Sequence, residues 1–157
     1  MKKILFTLVL MLMAQLSFAQ TAKDVFNDYK DQKKAEYVSV PRAMLKLGAA
    51  AVKNNNTQAL LDEIHSAKIL TLDNCKKRVR KNFANAISNL SKKDYEEYTR
   101  MKDDGQNILI LVKKHEDLIA EIVALINDDD DCVGILVTGD INPEDIEAVV
   151  RMVDDND

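Results

Sequence analysis

Glycine, proline, cysteine and histidine are scarce in this chain of 157 residues, which has four, two, two and two of them. With so few glycines, the chain has little of the special backbone that loops use to cradle a phosphate. No Gly-x-Ser-x-Gly, glycine-rich phosphate loop or His-Glu-x-x-His occurs. These absences count against the enzyme classes that the motifs define, but enzymes whose sites have no motif stay open.

The two cysteines, Cys75 and Cys132, are too far apart for a Cys-x-x-Cys redox motif, and two cysteines alone make no zinc site. An even number of cysteines in an oxidising compartment permits a disulfide. The alternative is two unpaired, buried thiols. His65 and His115 have no second His or Cys at metal-ligand spacing, so we predict neither a metal nor a cofactor.

The N-terminus has the pattern of an export signal. Lys2 and Lys3 precede an apolar stretch from Ile4 to Leu16, and Ser17-Phe18-Ala19 places small residues where a signal peptidase cleaves. The apolar stretch would span about 20 Å as a helix, short of the ~30 Å core of a membrane. We therefore predict a signal peptide over 1–19 and a single domain over 20–157. The mature protein would be periplasmic or extracellular, without a transmembrane segment.

Acidic residues outnumber basic ones and are unevenly distributed. The net charge of −4 becomes −6 when the two lysines of the predicted signal are removed, which disfavours nucleic-acid binding. Residues 76–102 contain nine Lys and Arg against three acids, whereas 127–157 contain eleven acids and one Arg. These blocks could face each other within one fold, face each other across a symmetric dimer, or form separate solvated faces.

Hydrophobic periodicity predicts alternating helices and strands. Segment 118–126 fits a strand or a helix, and its short flanking links favour a strand, which would complete a three-strand meander. The helix over 41–53 would bury Met44, Leu45, Gly48, Ala51 and Val52, end at the run Asn54-Asn55-Asn56, and be followed by a helix capped by Thr57. The other predicted strands are 36–40, 66–72, 107–113 and 132–138, and the other predicted helices are a short one within 20–34, then 79–90, 91–102 and one from 143 that buries Ile146, Val149, Val150 and Val153.

This order predicts an α+β fold, a two-layer sandwich in which a mixed or antiparallel sheet of about five strands packs against helices. The C-terminal unit would be a strand hairpin, a strand and a helix. The runs 108–112, 119–126 and 133–137 carry apolar residues on both faces, including Leu109, Leu111, Val123, Leu125 and Leu136. A single helical layer covers one face only. The second apolar face would meet an extra helix, an unknown protein partner or a second copy in a homodimer.

Three segments resemble an exported Bacteroidota family catalogued as domain-of-unknown-function family 4252: Tyr37 to Leu45, Ala67 to Leu72, and Thr138 to Ile146. The likeness covers nearly all of the predicted mature chain. Its motifs are packing and turn signals, so the resemblance implies the fold and assigns no catalytic residue. Genes of the family often lie beside sigma-factor genes, which implies a link to envelope signalling.

The strongest candidate for binding is the basic cluster Lys76, Lys77, Arg78, Arg80 and Lys81. Cations at the start of a helix oppose its dipole, so such a cluster suits an anionic partner, a lipid headgroup or the acidic stretch of the same chain. A solvated charged face is the alternative.

Tyr95 and Tyr98, three apart on the predicted helix, could form a partner-facing aromatic patch or pack against the sheet. We interpret Asp128 to Asp131 as a solvated turn, because an EF-hand loop counted from Asp128 would place Cys132 and Gly139 at ligand positions.

The sequence therefore predicts an exported, non-catalytic binding or regulatory module of the cell envelope. The alternative is a small periplasmic enzyme with an unrecognised acidic and histidine site. That alternative requires at least two of His65, Tyr95, Asp140 and Glu144 to converge in a pocket.

Overall fold

The structure is a computed structural model that describes residue 3 and residues 20–147. In the described residues, four complete α-helices and six strands follow one another, with a short 3₁₀ turn at Leu90–Lys92 before β3, and residues 143–147 are helical after β6. The elements are α1 (Ala22–Tyr29), β1 (Glu36–Pro41), α2 (Arg42–Ala51), α3 (Asn55–Glu63), β2 (Ile64–Thr71), α4 (Lys77–Asn89), β3 (Glu96–Asp103), β4 (Gln106–His115), β5 (Leu118–Asn127) and β6 (Cys132–Ile141).

All six strands form one open sheet in the order β1-β2-β6-β5-β4-β3, and each neighbouring pair is antiparallel. Strands β3 to β6 are a meander, and β2 pairs with β6 on its other side. The predicted α+β class and the strand over 118–126 are confirmed. The sheet has one more strand than the five we predicted.

One face of the sheet, the first face, packs under α1 and α4. Leu111, Val123 and Leu136 lie side by side on it because their strands pair at these positions. Phe83 of α4 makes edge-to-face contacts with Phe26 and with Tyr29 of α1, with ring centroids 5.7 and 5.3 Å apart. The two helices therefore cover this face as one layer.

The opposite face, the second face, is covered at one end by α2, α3 and the helical residues 143–147. There Ile64, Val112, Ile119 and Ile141 form a second buried cluster. Residues packed against that cluster come from these helices and from the sheet: Leu45, Leu60, Leu61, Ile122, Val137 and Ile146. Helices thus lie on both faces of the sheet, which refines the predicted two-layer arrangement.

The helix predicted over 91–102 is wrong, because this segment contains the edge strand β3. The turn at Asp104-Gly105 joins β3 to β4 as a hairpin. Both turn residues have positive φ, 45° and 82°, as a type I′ hairpin turn requires. β3 is a polar edge strand without a clear alternating pattern, so its pairing with β4 decides its structure.

Two details at α2 and α3 also differ from prediction. Asn54 accepts hydrogen bonds from the backbone N–H groups of Asn56 and Thr57, so Asn54, and not Thr57, caps α3. Met44, Gly48 and Ala51 of α2, which we predicted to be buried, are exposed, with Met44 at 60%, and the buried residue of this helix is Ala49.

The C-terminal helix starts as predicted. Asn142 accepts a hydrogen bond from the Glu144 N–H, and Ile146 packs against the cluster that contains Ile141. The apolar positions Val149, Val150 and Val153 lie outside the described residues.

Two glycines test this packing. Gly48 faces open space within α2, so Gly48→Ala should raise the free energy of unfolding by about 0.5–1 kcal/mol. A Cβ at Gly139 would overlap the carbonyl oxygen of Glu63, so Gly139→Ala should lower it by about 1–3 kcal/mol. Urea unfolding of both variants measures the two changes. Equal effects would contradict the described contact between β6 and the end of α3.

Candidate functional site

The start of α4 is fixed by hydrogen bonds that join three segments of the chain. The Arg80 guanidinium donates to the carbonyl oxygens of Asp73, Cys75 and Asp129 at 3.2, 2.7 and 2.8 Å. The Asp73 carboxylate accepts from the Cys132 N–H at 2.8 Å. The turn after β2, the first turns of α4 and the start of β6 therefore hold one another in place.

The predicted basic cluster divides between two sides of α4. Lys77, Arg80 and Lys81 line a cavity of about 370 Å³ together with Asp128 and Asp129. The Arg80 charge helps to lower the pKa of Asp128, although the larger cause is the hydrogen bonds that Asp128 accepts from Asp131 and Asp130. On this side the cations meet the acidic stretch of the same chain, which is one of the partners that the sequence left open.

The other side of α4 borders a larger cavity, which we call the basic pocket because all of its charged lining residues are cations. Its volume is about 620 Å³. Among the described residues that line it there are four cations, three carboxamides and one apolar side chain, and no carboxylate. The lining consists of Lys33, Lys34, Lys76, Arg78, Gln32, Asn74, Asn82 and Val79.

The residues before β1 are held against the start of α4 by Cys75. The Cys75 thiol donates to the Lys33 carbonyl oxygen at 3.4 Å, and the Ala35 N–H donates to the Gln32 carbonyl oxygen at 2.9 Å. Lys34 adopts a left-handed backbone with φ of 72°, which is uncommon outside glycine and asparagine. Such a conformation persists only when its surroundings hold it in place, and strained residues of this kind concentrate at functional sites.

The first turn of α4 has no side-chain cap among the described residues, and it contains no acid. Unpaired N–H groups at a helix N-terminus attract anions, whereas neighbouring cations weaken the helix unless an anion balances them. This end of α4 borders the basic pocket through Lys76 and Arg78. The charges of Lys76 and Arg78 and the uncapped backbone N–H groups of this first turn both favour an anionic ligand.

Sequence reasoning found Lys76 and Arg78 and missed the rest of the basic pocket. Gln32, Lys33 and Lys34 lie more than forty residues before α4, and only the packing of α1 on α4 brings them close. Lys33-Lys34 ahead of a predicted strand was the available signal. Asn74 and Asn82 carry no pattern of their own.

Both cysteines are free and buried in the structure, and their pairing in a disulfide stays a prediction. Burial raises the pKa of the Cys75 thiol, and it raises the pKa of Cys132 from an ordinary 9.0 to about 12. The two thiolates would repel each other, so Cys75 adds to the shift at Cys132. Both thiols are therefore poor nucleophiles at neutral pH.

Tyr95 and Tyr98, for which the sequence left open a partner-facing patch or packing against the sheet, lie on no helix and do not share a surface. Tyr98 lies on β3 and is 42% exposed, whereas Tyr95 precedes that strand and is 3% exposed. The Tyr95 hydroxyl donates to Glu121 Oε2 at 2.6 Å and accepts from the Ala22 N–H at 3.0 Å. Burial, followed by the bond to Glu121, raises the pKa of Tyr95 well above its usual value. Tyr95 thus anchors α1 to the sheet.

The residues of the enzyme alternative are only partly brought together. His65 Nε2 lies 3.3 Å from Asp140 Oδ2, and the two side chains are 42% and 70% exposed. Tyr95 binds Glu121, and Glu144 binds Asn142 through its backbone, so neither joins this pair among the hydrogen bonds of the described residues.

The acidic run forms the turn that we predicted between β5 and β6. Asp128 Oδ1 accepts from the N–H groups of Asp130 and Asp131 at 2.8 and 2.7 Å. Over residues 20–147, no cluster of three or more His, Cys, Asp or Glu side chains is arranged to hold a metal ion.

The part of the second face beyond its buried cluster is apolar. Ile69, Ile135, Ala124 and Ile110 lie side by side across four strands and are half-buried. At the two edges of the same face, Val38 and Met101 are 54% and 50% exposed. A protein partner or a second copy on this face stays a prediction.

The fold places this protein among α+β domains built on one open antiparallel sheet. Within that class, the chain belongs to the family described as "Domain of unknown function (DUF4252)", whose model matches residues 29–149. That range includes every residue of the basic pocket. No curated protein and no solved structure matches the chain. None of the helices in the described part of the chain has the length and apolar character needed to cross a membrane.

The anchor at Tyr95 gives a testable prediction. Tyr95→Phe removes the acceptor of the buried Ala22 N–H and the hydroxyl that donates to Glu121, which keeps Lys113 Nζ at 3.9 Å, so the free energy of unfolding should fall by about 1–3 kcal/mol. Tyr98→Phe, the matched control on an exposed ring, should change it by less than about 0.5 kcal/mol. Urea titration measures both. Equal values for the two variants would show that Tyr95 does not anchor α1.

Proposed function

We propose that this protein is an exported, non-catalytic binding module of the cell envelope and that it holds an anionic ligand in the basic pocket. The observation that carries the proposal is the convergence of Lys33, Lys34, Lys76 and Arg78 around about 620 Å³ without a described carboxylate. An anion in the pocket would meet four cations and no described carboxylate, and it would gain charge-assisted hydrogen bonds from them.

The comparison of the two sides of α4 supports this assignment. On the side of Lys77 and Lys81, the lining also includes Asp128 and Asp129, which offset part of the charge. On the side of Lys76 and Arg78, the described lining offers only amide side chains and Val79 besides the cations. The basic pocket is therefore the place where an external anion adds most.

Export is part of the proposal and is supported by the sequence pattern of residues 1–19. The resemblance to exported Bacteroidota proteins points the same way, and their gene neighbourhood suggests a role in envelope signalling. If the protein is exported, the anions that can reach the pocket are those of the envelope and its surroundings.

Export predicts a processed N-terminus. Protein recovered from the envelope of the producing cell should begin at Gln20, and intact mass together with N-terminal peptide mapping checks this. Full-length protein confined to the cytoplasm would overturn the export part of the proposal.

The same spectra, taken with and without reductant, report whether Cys75 and Cys132 pair, because a disulfide lowers the mass by two hydrogens.

Anion binding predicts a thermal shift. In the processed protein, sodium phosphate, sulfate or citrate should raise Tm above the value in sodium chloride of equal ionic strength. A ligand at a hundred times its Kd stabilises by about 2.7 kcal/mol, which corresponds to several degrees in a domain of this size. Lys34→Gln and Arg78→Gln should each remove most of the shift.

The matched control is Lys81→Gln, which removes the same charge from α4 but lines the cavity that contains Asp128 and Asp129. It should keep the shift. If no multivalent anion stabilises the protein beyond chloride, or if Lys81→Gln loses as much as Arg78→Gln, the basic pocket is not an anion site.

A further inference from the structure

The size of the basic pocket points to an organic anion. Its volume of about 620 Å³ lies in the middle of the ~300–1,000 Å³ typical of small-molecule sites. A bare inorganic ion would contact one group of cations and leave the remaining lining in water. We therefore expect a ligand in which a charged group is joined to an organic part that contacts the rest of the lining.

The arrangement of the cations suits a phosphate monoester better than a carboxylate. Lys33 and Lys34 approach from the segment before β1, and Lys76 and Arg78 approach from the start of α4. A phosphate monoester carries a charge of about −1.5 to −2 and has three terminal oxygens, so it can accept from both sides at once. Arg78 can donate to two of those oxygens together, and the uncapped first turn of α4 offers backbone N–H groups.

The lining residues other than the four cations suit a ligand whose organic part carries hydroxyl groups. Gln32, Asn74 and Asn82 each bring a carboxamide, which both donates and accepts hydrogen bonds as hydroxyl groups require. Val79 is the one apolar side chain among the described lining residues.

We infer that the ligand is a phosphorylated polyol, that is, a sugar phosphate or a glycerol phosphate, either free or as the headgroup of a lipid. This inference rests on the proposed function and names the ligand class of the same pocket. The cations and the helix start hold the phosphate, and the carboxamides hold the hydroxyl groups.

The test compares ligands that differ in one group. Calorimetric titration of the processed protein with glucose 6-phosphate, glucuronate and glucose varies the charged group on one ring, and inorganic phosphate removes the ring. We expect glucose 6-phosphate to bind at least tenfold more tightly than glucuronate and than inorganic phosphate, and glucose not to bind measurably.

Titration of the ligand gives a second signature. The second ionisation of a phosphate monoester has a pKa near 6, so affinity for glucose 6-phosphate should rise severalfold between pH 5 and 7, whereas affinity for glucuronate should not. The charged groups that line the pocket are Lys33, Lys34, Lys76 and Arg78.

Variants separate the two halves of the pocket. Arg78→Gln should weaken both glucose 6-phosphate and inorganic phosphate at least tenfold. Asn82→Ala should weaken glucose 6-phosphate several fold and leave inorganic phosphate unchanged. Asn85→Ala, on the same helix but lining the cavity with Asp128, is the matched control and should change neither.

Vesicles distinguish the sources. Co-flotation with phosphatidylcholine vesicles that contain phosphatidylinositol 4-phosphate, but not with vesicles that contain phosphatidylinositol, identifies a lipid headgroup. Binding of glucose 6-phosphate or glycerol 3-phosphate without flotation identifies a free ligand. Glucuronate binding as tightly as glucose 6-phosphate overturns the phosphate assignment and leaves anion binding intact. Inorganic phosphate binding as tightly as glucose 6-phosphate overturns the polyol body, and the absence of any anion binding overturns the proposed function as well.

Discussion

The arrangement of this molecule around its pocket depends on the hydrogen bonds of one guanidinium group. Arg80 donates to three backbone carbonyl groups, two in the turn between β2 and α4 and one in the turn before β6. Each of these segments is an irregular stretch whose carbonyl groups would otherwise rely on water. Because a single rigid group with five donors serves all three, their relative positions are fixed together. The Cys132 thiol, which donates to the Arg80 carbonyl oxygen at 3.8 Å, completes the connection.

This role changes the meaning of the basic cluster. Five cations at the start of a helix have the pattern of one binding surface, yet Arg80 is occupied by the backbone and Lys77 and Lys81 face aspartates. Among the described residues, the two opposite charge blocks of the sequence meet where Lys77, Arg80 and Lys81 lie beside Asp128 and Asp129. Lys76 and Arg78 lie instead with two lysines from a distant segment. The proposed anion site rests on these four cations.

The elements that sequence reasoning predicted are those with a strong local signal. The buried strands β4, β5 and β6 are continuous apolar runs, and Asn142-Pro143 starts a helix by its own chemistry. Strand β3 was missed because its residues are polar on both sides and its structure comes from pairing with β4. The same error placed Tyr95 and Tyr98 on one surface, whereas the chain path separates a buried anchor from an exposed edge. Half of the basic pocket could not be predicted either, because no local sequence pattern indicates that Lys33 and Asn74 line the same cavity.

The bond between the Ala22 N–H and the Tyr95 hydroxyl spans 73 positions of the chain. A ribosome or a translocation channel releases α1 first, but the hydroxyl that receives it and the sheet face that covers its Phe26 come much later. Loop-closure entropy must be overcome before that contact forms, so the first helix made is among the last to dock. During synthesis the apolar side of α1 is exposed until the meander is complete. The earliest part of the domain to leave the channel is thus the part that most needs protection from aggregation before the rest arrives.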